Sequence, residues 1–306
     1  MQREAFIRAR IDTAGRSLEI GPGYNPILPK RDGHAVETAD YTTQVELQAK
    51  YRNEPGIDWQ RIEPVDYVLS AGGLLEAIQH RAHYDTIIAS NVIEHVPDLL
   101  GFLQDCSALL QPSGTLLLVN PDKRHCFDAF RPVSSTGQVL QAHLDRRTRH
   151  APGTLFDHVA NYADRDGIAA WGRQGHGTVR LRHDLRDAWN MAQEAQTAAH
   201  YIDAHAWVFV PSSFRLIARD LHALDLTDLR EAEFIPAFGL FEFLVTLTKS
   251  GPGCPRDRLS LCRDIVREQA RARPSGSRLD TLRSPRRLVA AARRMLGAGM
   301  RRRPKK

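Results

Sequence analysis

The sequence predicts an α/β fold in which a mostly parallel sheet of seven strands carries helices on both faces, with an insertion of helices and loops after the fifth strand. Three observations predict it. Short apolar runs alternate with amphipathic segments through the first half of the chain, the pattern of strand–helix–strand units that feed a parallel sheet. One run, Tyr84 to Ala89, is largely apolar, as a strand covered on both faces should be. Two glycines, Gly21 and Gly23, stand where the first strand stops, a position at which a missing side chain lets another group approach the backbone.

The first strand runs from Ser17 to Ile20 and the second from Ala35 to Thr38, ending near Asp40; a helix from Gln44 to Tyr51 follows. Val65 to Leu69 reads as the third strand and Leu74 to Gln79 as its helix. After the fourth strand, Leu99, Phe102, Leu103, Cys106, Leu109 and Leu110 recur at intervals of three and four, which marks a helix. Gln111-Pro112-Ser113-Gly114 stops it, and Thr115 to Val119 forms the fifth strand before Pro121 ends the run.

From Asp122 to about His205 the rhythm is lost. Ser134 is positioned to cap a short helix through Leu144, and Leu185 to Ala199 has helical propensity. Trp207 to Val210 returns the chain to the sheet, and Pro211-Ser212-Ser213 starts a helix whose stripe is Phe214, Ile217, Ala218, Leu221 and Leu224. Leu229 to Ile235 and Phe241 to Leu247 complete the seven strands. The expected organisation is a sheet domain over 1–121 and 206–250, an insertion over 122–205 that caps the substrate, and a linker with a basic tail over 251–306. Within the tail, 285–303 reads either as a disordered basic segment or as an amphipathic helix for an anionic membrane surface.

Charge is unevenly spread. From Arg271 onward there are 13 Lys and Arg against one acid, a net +12, which leaves 29 basic and 35 acidic groups in the first 270 residues, a net −6. Attraction to phosphates or anionic lipids therefore belongs to the tail. The opening MQREAFIRARIDTAGRS has no apolar core of the kind a signal peptide needs, and no run is long enough to span a membrane. The expected location is the cytoplasm, with the tail a candidate for contact with the inner membrane face. Cys106, Cys126, Cys254 and Cys262 match no zinc or redox spacing and are expected as reduced thiols.

Leu18-Glu19-Ile20-Gly21-Pro22-Gly23 gains meaning from Asp40, whose carboxylate at the end of the second strand can accept hydrogen bonds from both hydroxyls of a ribose. A dinucleotide would need a third glycine and a helix N-terminus for its pyrophosphate, but position 26 is proline. The loop suits a nucleoside without pyrophosphate. S-adenosylmethionine is such a ligand, with Glu19 and Tyr24 placed to surround its sulfonium.

These residues resemble the class I S-adenosylmethionine-dependent methyltransferases, whose sheet is Rossmann-like. LEIGPG resembles that family's first motif, Asp40 its second-strand acid, Ser90-Asn91-Val92-Ile93-Glu94-His95-Val96 the segment after strand four, and LLQPSGTLLLVNPD its last parallel strand. The resemblance implies S-adenosyl-L-methionine as cofactor, with Glu19, Gly21, Pro22, Gly23, Tyr24, Asp40 and Asn91 around it. Ser70-Ala71-Gly72 stands near where the family carries an adenine-side acid, so that contact is not assigned. Glu94-His95 also resembles a metal-binding variant among quinone-type O-methyltransferases; because Asn91 stands where that variant has another glutamate, no metal is expected.

Methyl transfer depends on alignment, and an oxygen nucleophile also needs a base. Asp203 and His205 are the expected orienter and base. Lys123 and Arg124, after strand five, are candidates to hold an anionic substrate, and His143 and His158 are further substrate-side candidates. PDKRHCFDAFRP, FDHVANYAD and DAHAWVFVPSSFRLI resemble bacterial methyltransferases that accompany glycosyltransferases in surface-polysaccharide synthesis, which implies a small-molecule or glycan acceptor, in particular a sugar hydroxyl. The competing expectation is a noncatalytic cofactor-binding or scaffolding protein of a polysaccharide assembly complex. No nucleic-acid partner is expected: Asn91 lacks the following proline and aromatic residue that grip a flipped base, and the body is acidic.

Overall fold

The computed structural model describes residues 3–54, 56–69, 73–173, 177–198 and 200–271. A short helix not anticipated from sequence, α1 (Arg3–Arg8), buries Ile7 completely. The alternation then follows as β1 (Ser17–Ile20), β2 (Val36–Asp40), α2 (Gln44–Tyr51), β3 (Tyr67–Val68), α3 (Gly73–Ile78), β4 (Tyr84–Ser90), α4 (Leu99–Leu109) and β5 (Leu110–Pro121). The insertion contains α5 (Thr136–Leu144), α6 (Pro152–Ala160), an antiparallel pair β6 (Ala163–Arg165) and β7 (Val179–Leu181), and α7 (Leu185–Thr197). Next come α8 (Pro211–Ala223), β8 (Arg230–Phe238), β9 (Glu242–Thr248) and α9 (Arg258–Arg271).

The sheet order is β3-β2-β1-β4-β5-β9-β8; the first five strands are parallel, and β9 runs antiparallel to both neighbours. The two-residue period of the strands divides the core between the faces. Ile87, Leu116 and Leu118 join the stripe of α4 and Phe214, Ile217 and Leu221 of α8, whereas Ile88, Leu117 and Val119 pack with Ile7, Ile27 and Leu28; Leu224, expected in the α8 stripe, lies past the helix end and is exposed. β1 lies between β2 and β4, so the chain reverses its lateral direction there. Ligands in such sheets bind at the carboxyl ends of the strands flanking that reversal.

Several local expectations shift. The Pro-Ser-Gly turn is present as an excursion within β5: Tyr84 pairs with Leu110, Thr86 with Thr115, and residues 111–114 bulge between. Helix α5 is capped by Ser135, not Ser134, because Ser135 accepts from Gln138 N and returns through the Gln138 side chain. Trp207 to Val210 forms no strand. Its backbone is used elsewhere, with Ala206 N and Trp207 N both donating to Glu94 O and Val208 N to Ser134 Oγ. The stretch expected as linker holds α9, where Leu261 is fully buried and Glu268 accepts from the backbone N–H and hydroxyl of Ser212, in the first turn of α8. The expected tail helix at 285–303 lies outside the described residues. Among the described residues no helix is long and apolar enough to cross a membrane, and all four cysteines are free thiols.

Candidate functional site

The β1 turn owes its shape to two left-handed residues. Gly21 has φ +62°, and a Cβ there would lie 2.8 Å from Val92 Cγ2, so the segment after β4 closes directly onto the turn. Gly23 has φ +50° with open space around it. Pro22 joins them, and Gly21 N donates to Ala39 O at 2.8 Å, which sets Asp40 opposite Gly21 across the β1–β2 register. Asp40 is almost fully buried; one oxygen accepts from Tyr41 N at 2.8 Å. Burial pushes its carboxyl up to about 6, against the pull of that N–H and of Lys50.

Glu19, expected beside the sulfonium, is engaged within its own loop. Its two oxygens accept from Ile27 N at 2.7 Å and Leu28 N at 3.0 Å, so the buried side chain folds the loop back on itself. Burial raises its carboxyl to about 7. Tyr24 packs edge-on against Tyr51 of α2, with ring centroids 5.2 Å apart.

Asn91 adopts φ +54° and donates its side-chain amide to Glu242 Oε1 at 2.9 Å, while its own Oδ1 is buried without a partner. Glu242 also receives Arg3 Nη2 at 2.6 Å, and the same guanidinium donates to Ser90 Oγ at 2.7 Å. A cation, a carboxylate and an unsatisfied amide oxygen thus meet at the carboxyl ends of β4 and β5. Sequence reasoning missed Arg3 and Glu242, which lie 239 positions apart and carry no local signal of each other.

On the insertion side, the expected Asp203–His205 pair does not form. His205 Nδ1 is bound to Asp128 Oδ2 at 2.5 Å, and Asp203 Oδ1 to His95 Nδ1 at 2.7 Å. The reason is position in the fold: PDKRHCFDAFRP folds Asp128 beneath His205, and His95 in the turn after β4 meets Asp203 from the other side. The two rings then stand edge to face, with centroids 4.6 Å apart. Arg131 Nη1 holds the other Asp128 oxygen at 2.8 Å. Although burial opposes ionisation, His205 and Arg131 hold the Asp128 carboxyl well below the usual range. Burial likewise opposes Asp203 ionisation, but His95 draws its carboxyl well down, and His95 is itself raised by that bond. The motif containing Asp128 was visible in the sequence, but its partner was not.

The remaining candidates separate. His158 joins the cluster: its Nδ1 accepts from His205 N at 3.4 Å, and burial drops its imidazole to about 3. His143 instead bridges α5 to the α4 cap through Asp98 at 2.8 Å, and no described contact brings it to His205. Lys123 and Arg124 do not overhang the edge as free cations. Lys123 is buried with Nζ donating to Ala129 O at 2.6 Å, and Arg124 grips the fully buried Asp122 with Nε at 2.8 and 3.0 Å. A tight turn at Lys123–His125, capped by Asp122, directs both inward. Glu94 is buried with Oε2 unpartnered, and it, His95 and His205 place one donor atom each within 4.8 Å of one another. That spacing suits sharing of a proton or of a cation.

A family model described as a methyltransferase domain matches residues 2–207. A ubiquinone biosynthesis O-methyltransferase of Actinobacillus pleuropneumoniae serotype 5b is 35% identical over 105 residues, which cover 32% of this chain and 42% of that protein. The chain therefore spans less than half the length of this curated relative. Among solved structures, the trans-methyltransferase CalH in complex with SAH aligns with a TM-score of 0.36 and 16% identity, over 79% of this chain and 53% of that one. An S-adenosylmethionine-dependent methyltransferase from Mesorhizobium loti aligns with a TM-score of 0.40 and 12% identity, over 79% and 95%.

Proposed function

The chain belongs to the methyltransferase-domain family, whose methyl donor is S-adenosylmethionine, and from that premise we propose that it methylates a hydroxyl of a small-molecule or glycan acceptor. The reading is carried by the convergence, at one sheet edge, of a site for a zwitterionic nucleoside and a carboxylate-oriented histidine. On the donor side, Asp40 would accept from the ribose hydroxyls beside the Gly21-Pro22-Gly23 turn. Arg3, Glu242 and Asn91 would hold the amino-acid end of the donor: the guanidinium would answer its carboxylate, and Glu242 with the orphaned Asn91 Oδ1 its ammonium.

On the acceptor side, residues 122–205 act as the substrate cap. Asp128 binds His205 Nδ1, which leaves Nε2 as the proton-accepting nitrogen. As the acceptor oxygen attacks the methyl carbon, its proton passes to His205 Nε2. The carbon–sulfur bonding pair returns to sulfur, which leaves as a neutral thioether. Asp203 is a positioning residue for His95 in the same wall, and His158 lines it as a neutral ring.

The name of the curated relative, a ubiquinone biosynthesis O-methyltransferase, supports oxygen as the methylated atom; the longer motifs favour a sugar hydroxyl. Calorimetric titration with S-adenosylmethionine, followed by competition between a catechol and a nucleotide sugar for labelled methyl, tests that preference. Cofactor binding with no transfer to any hydroxyl would replace the enzyme reading with the scaffolding one.

A further inference from the structure

Glu242 is the first residue of β9, and the turn before it is held from outside the sheet. Gly239-Leu240-Phe241 joins β8 to β9, and the ladder slips between Ile235 and Phe238 just ahead of the turn. Phe241 O accepts from Asp122 N at 2.8 Å. The other carbonyls converge on one side chain of the insertion. The two protons on Arg173 Nη1 are shared among Phe238 O at 3.2 Å, Gly239 O at 3.2 Å and Leu240 O at 3.3 Å, and Nη2 donates to Glu242 O. The backbone that carries Arg173 is itself pinned, because Trp171 N and Gly172 N both donate to His125 O, at 3.0 and 3.2 Å. Gly172 has φ +73°, and a Cβ there would lie 2.5 Å from Leu240 Cδ1, so this segment lies directly on the hairpin. Gly239 has φ +53°, and a Cβ there would overlap Glu242 Oε2. The buried Glu242 carboxylate thus occupies the space that a side chain at 239 would fill, with Arg3 on both of its oxygens and the Asn91 amide on Oε1.

A guanidinium is suited to this task. It is a rigid planar fork that fixes the direction of each group it binds, whereas an ammonium is a point charge on a flexible stem. Holding the turn carbonyls holds the backbone from which the Glu242 side chain projects, which is how a binding constellation is kept in register by groups behind it. We propose that Arg173 is a positioning residue for the amino-acid end of the methyl donor, keeping the Glu242 carboxylate in place beside Arg3 and Asn91; the assignment rests on the donor site proposed above. Arg173 acts through Glu242 and not on the donor. The insertion therefore shapes the donor site as well as the acceptor wall.

The test compares two ligands on the full chain by calorimetric titration: S-adenosylhomocysteine, which carries the amino-acid end, and 5′-methylthioadenosine, which has the adenosine and sulfur without it. Arg173→Ala should weaken S-adenosylhomocysteine about tenfold and leave 5′-methylthioadenosine unchanged. Arg173→Lys keeps the charge and loses the fork; it should show the same selective loss, and it is the variant to read if alanine prevents folding. In a Glu242→Gln background Arg173→Ala should add little, because the two residues act as one unit. Equal weakening of both ligands by the Arg173 variants, full restoration by lysine, or a loss that simply adds to that of Glu242→Gln overturns the positioning role. If Arg3→Ala and Glu242→Gln do not themselves discriminate between the two ligands, the placement of the amino-acid end falls. If they discriminate and the Arg173 variants do not, that placement stands and only the role of Arg173 falls.

Discussion

Gly21→Ala tests the turn on which the donor site is built. The new Cβ would meet Val92 Cγ2 at 2.8 Å, and the residue would be held at φ +62°. The backbone alone costs about 1–2 kcal/mol for a residue with a Cβ. The overlap adds about 1–3 kcal/mol, because β-branched Val92 is stiff at χ1 and cannot swing aside. Reduced freedom of the unfolded chain returns roughly 0.4–1 kcal/mol, so the net loss should be about 2–4 kcal/mol. Gly23→Ala at φ +50° meets nothing within 4 Å and should cost only about 1 kcal/mol. Urea denaturation of both variants, of Val92→Ala and of the Gly21→Ala/Val92→Ala double variant isolates the contact as a coupling energy. Equal losses for the two glycines, or a coupling of zero, would refute the claim that the segment after β4 closes on the turn. S-adenosylmethionine affinity should fall with Gly21→Ala and recover in part in the double variant.

Other outcomes follow from the same geometry. Asp40 sits at about 6 in the fold; its ionised form is the better ribose acceptor, so S-adenosylmethionine affinity should weaken as pH falls below 6 and be flat above, a dependence that Asp40→Asn abolishes in calorimetric titrations. Glu19, at about 7 against an ordinary 4.5, keeps its proton longer folded than unfolded. Its contribution to stability is full below about pH 4.5 and fades as pH rises through 7, so the stability of wild type relative to Glu19→Gln should decline across that window in denaturation curves. His205→Ala should lower kcat by about 10²–10⁴-fold, with Asp128→Asn closer to it than Asp203→Asn; a larger effect at Asp203 would restore the pairing expected from sequence. Activity should survive EDTA, and loss reversed by a divalent cation would assign Glu94, His95 and His205 to a metal.

The strands, their order along the chain and the glycine turn were legible because each depends on neighbours a few positions away: side-chain period, turn chemistry and the absence of a Cβ. β4 and α4 emerged within a residue of expectation for that reason. Asp40 was legible as well, since its place follows from where β2 ends. What the sequence could not reveal was which charge meets which. Asp203 stands two positions from His205 and pairs with His95, 108 positions away; His205 pairs with Asp128, 77 positions away. Lys123 and Arg124 looked like surface cations and turned inward once a capped turn directed them. Periodicity and turn chemistry act through the local backbone, so the sequence alone determined the layers of this protein. Ion pairs act through space, and only closure of the sheet and the insertion upon each other decided the partners.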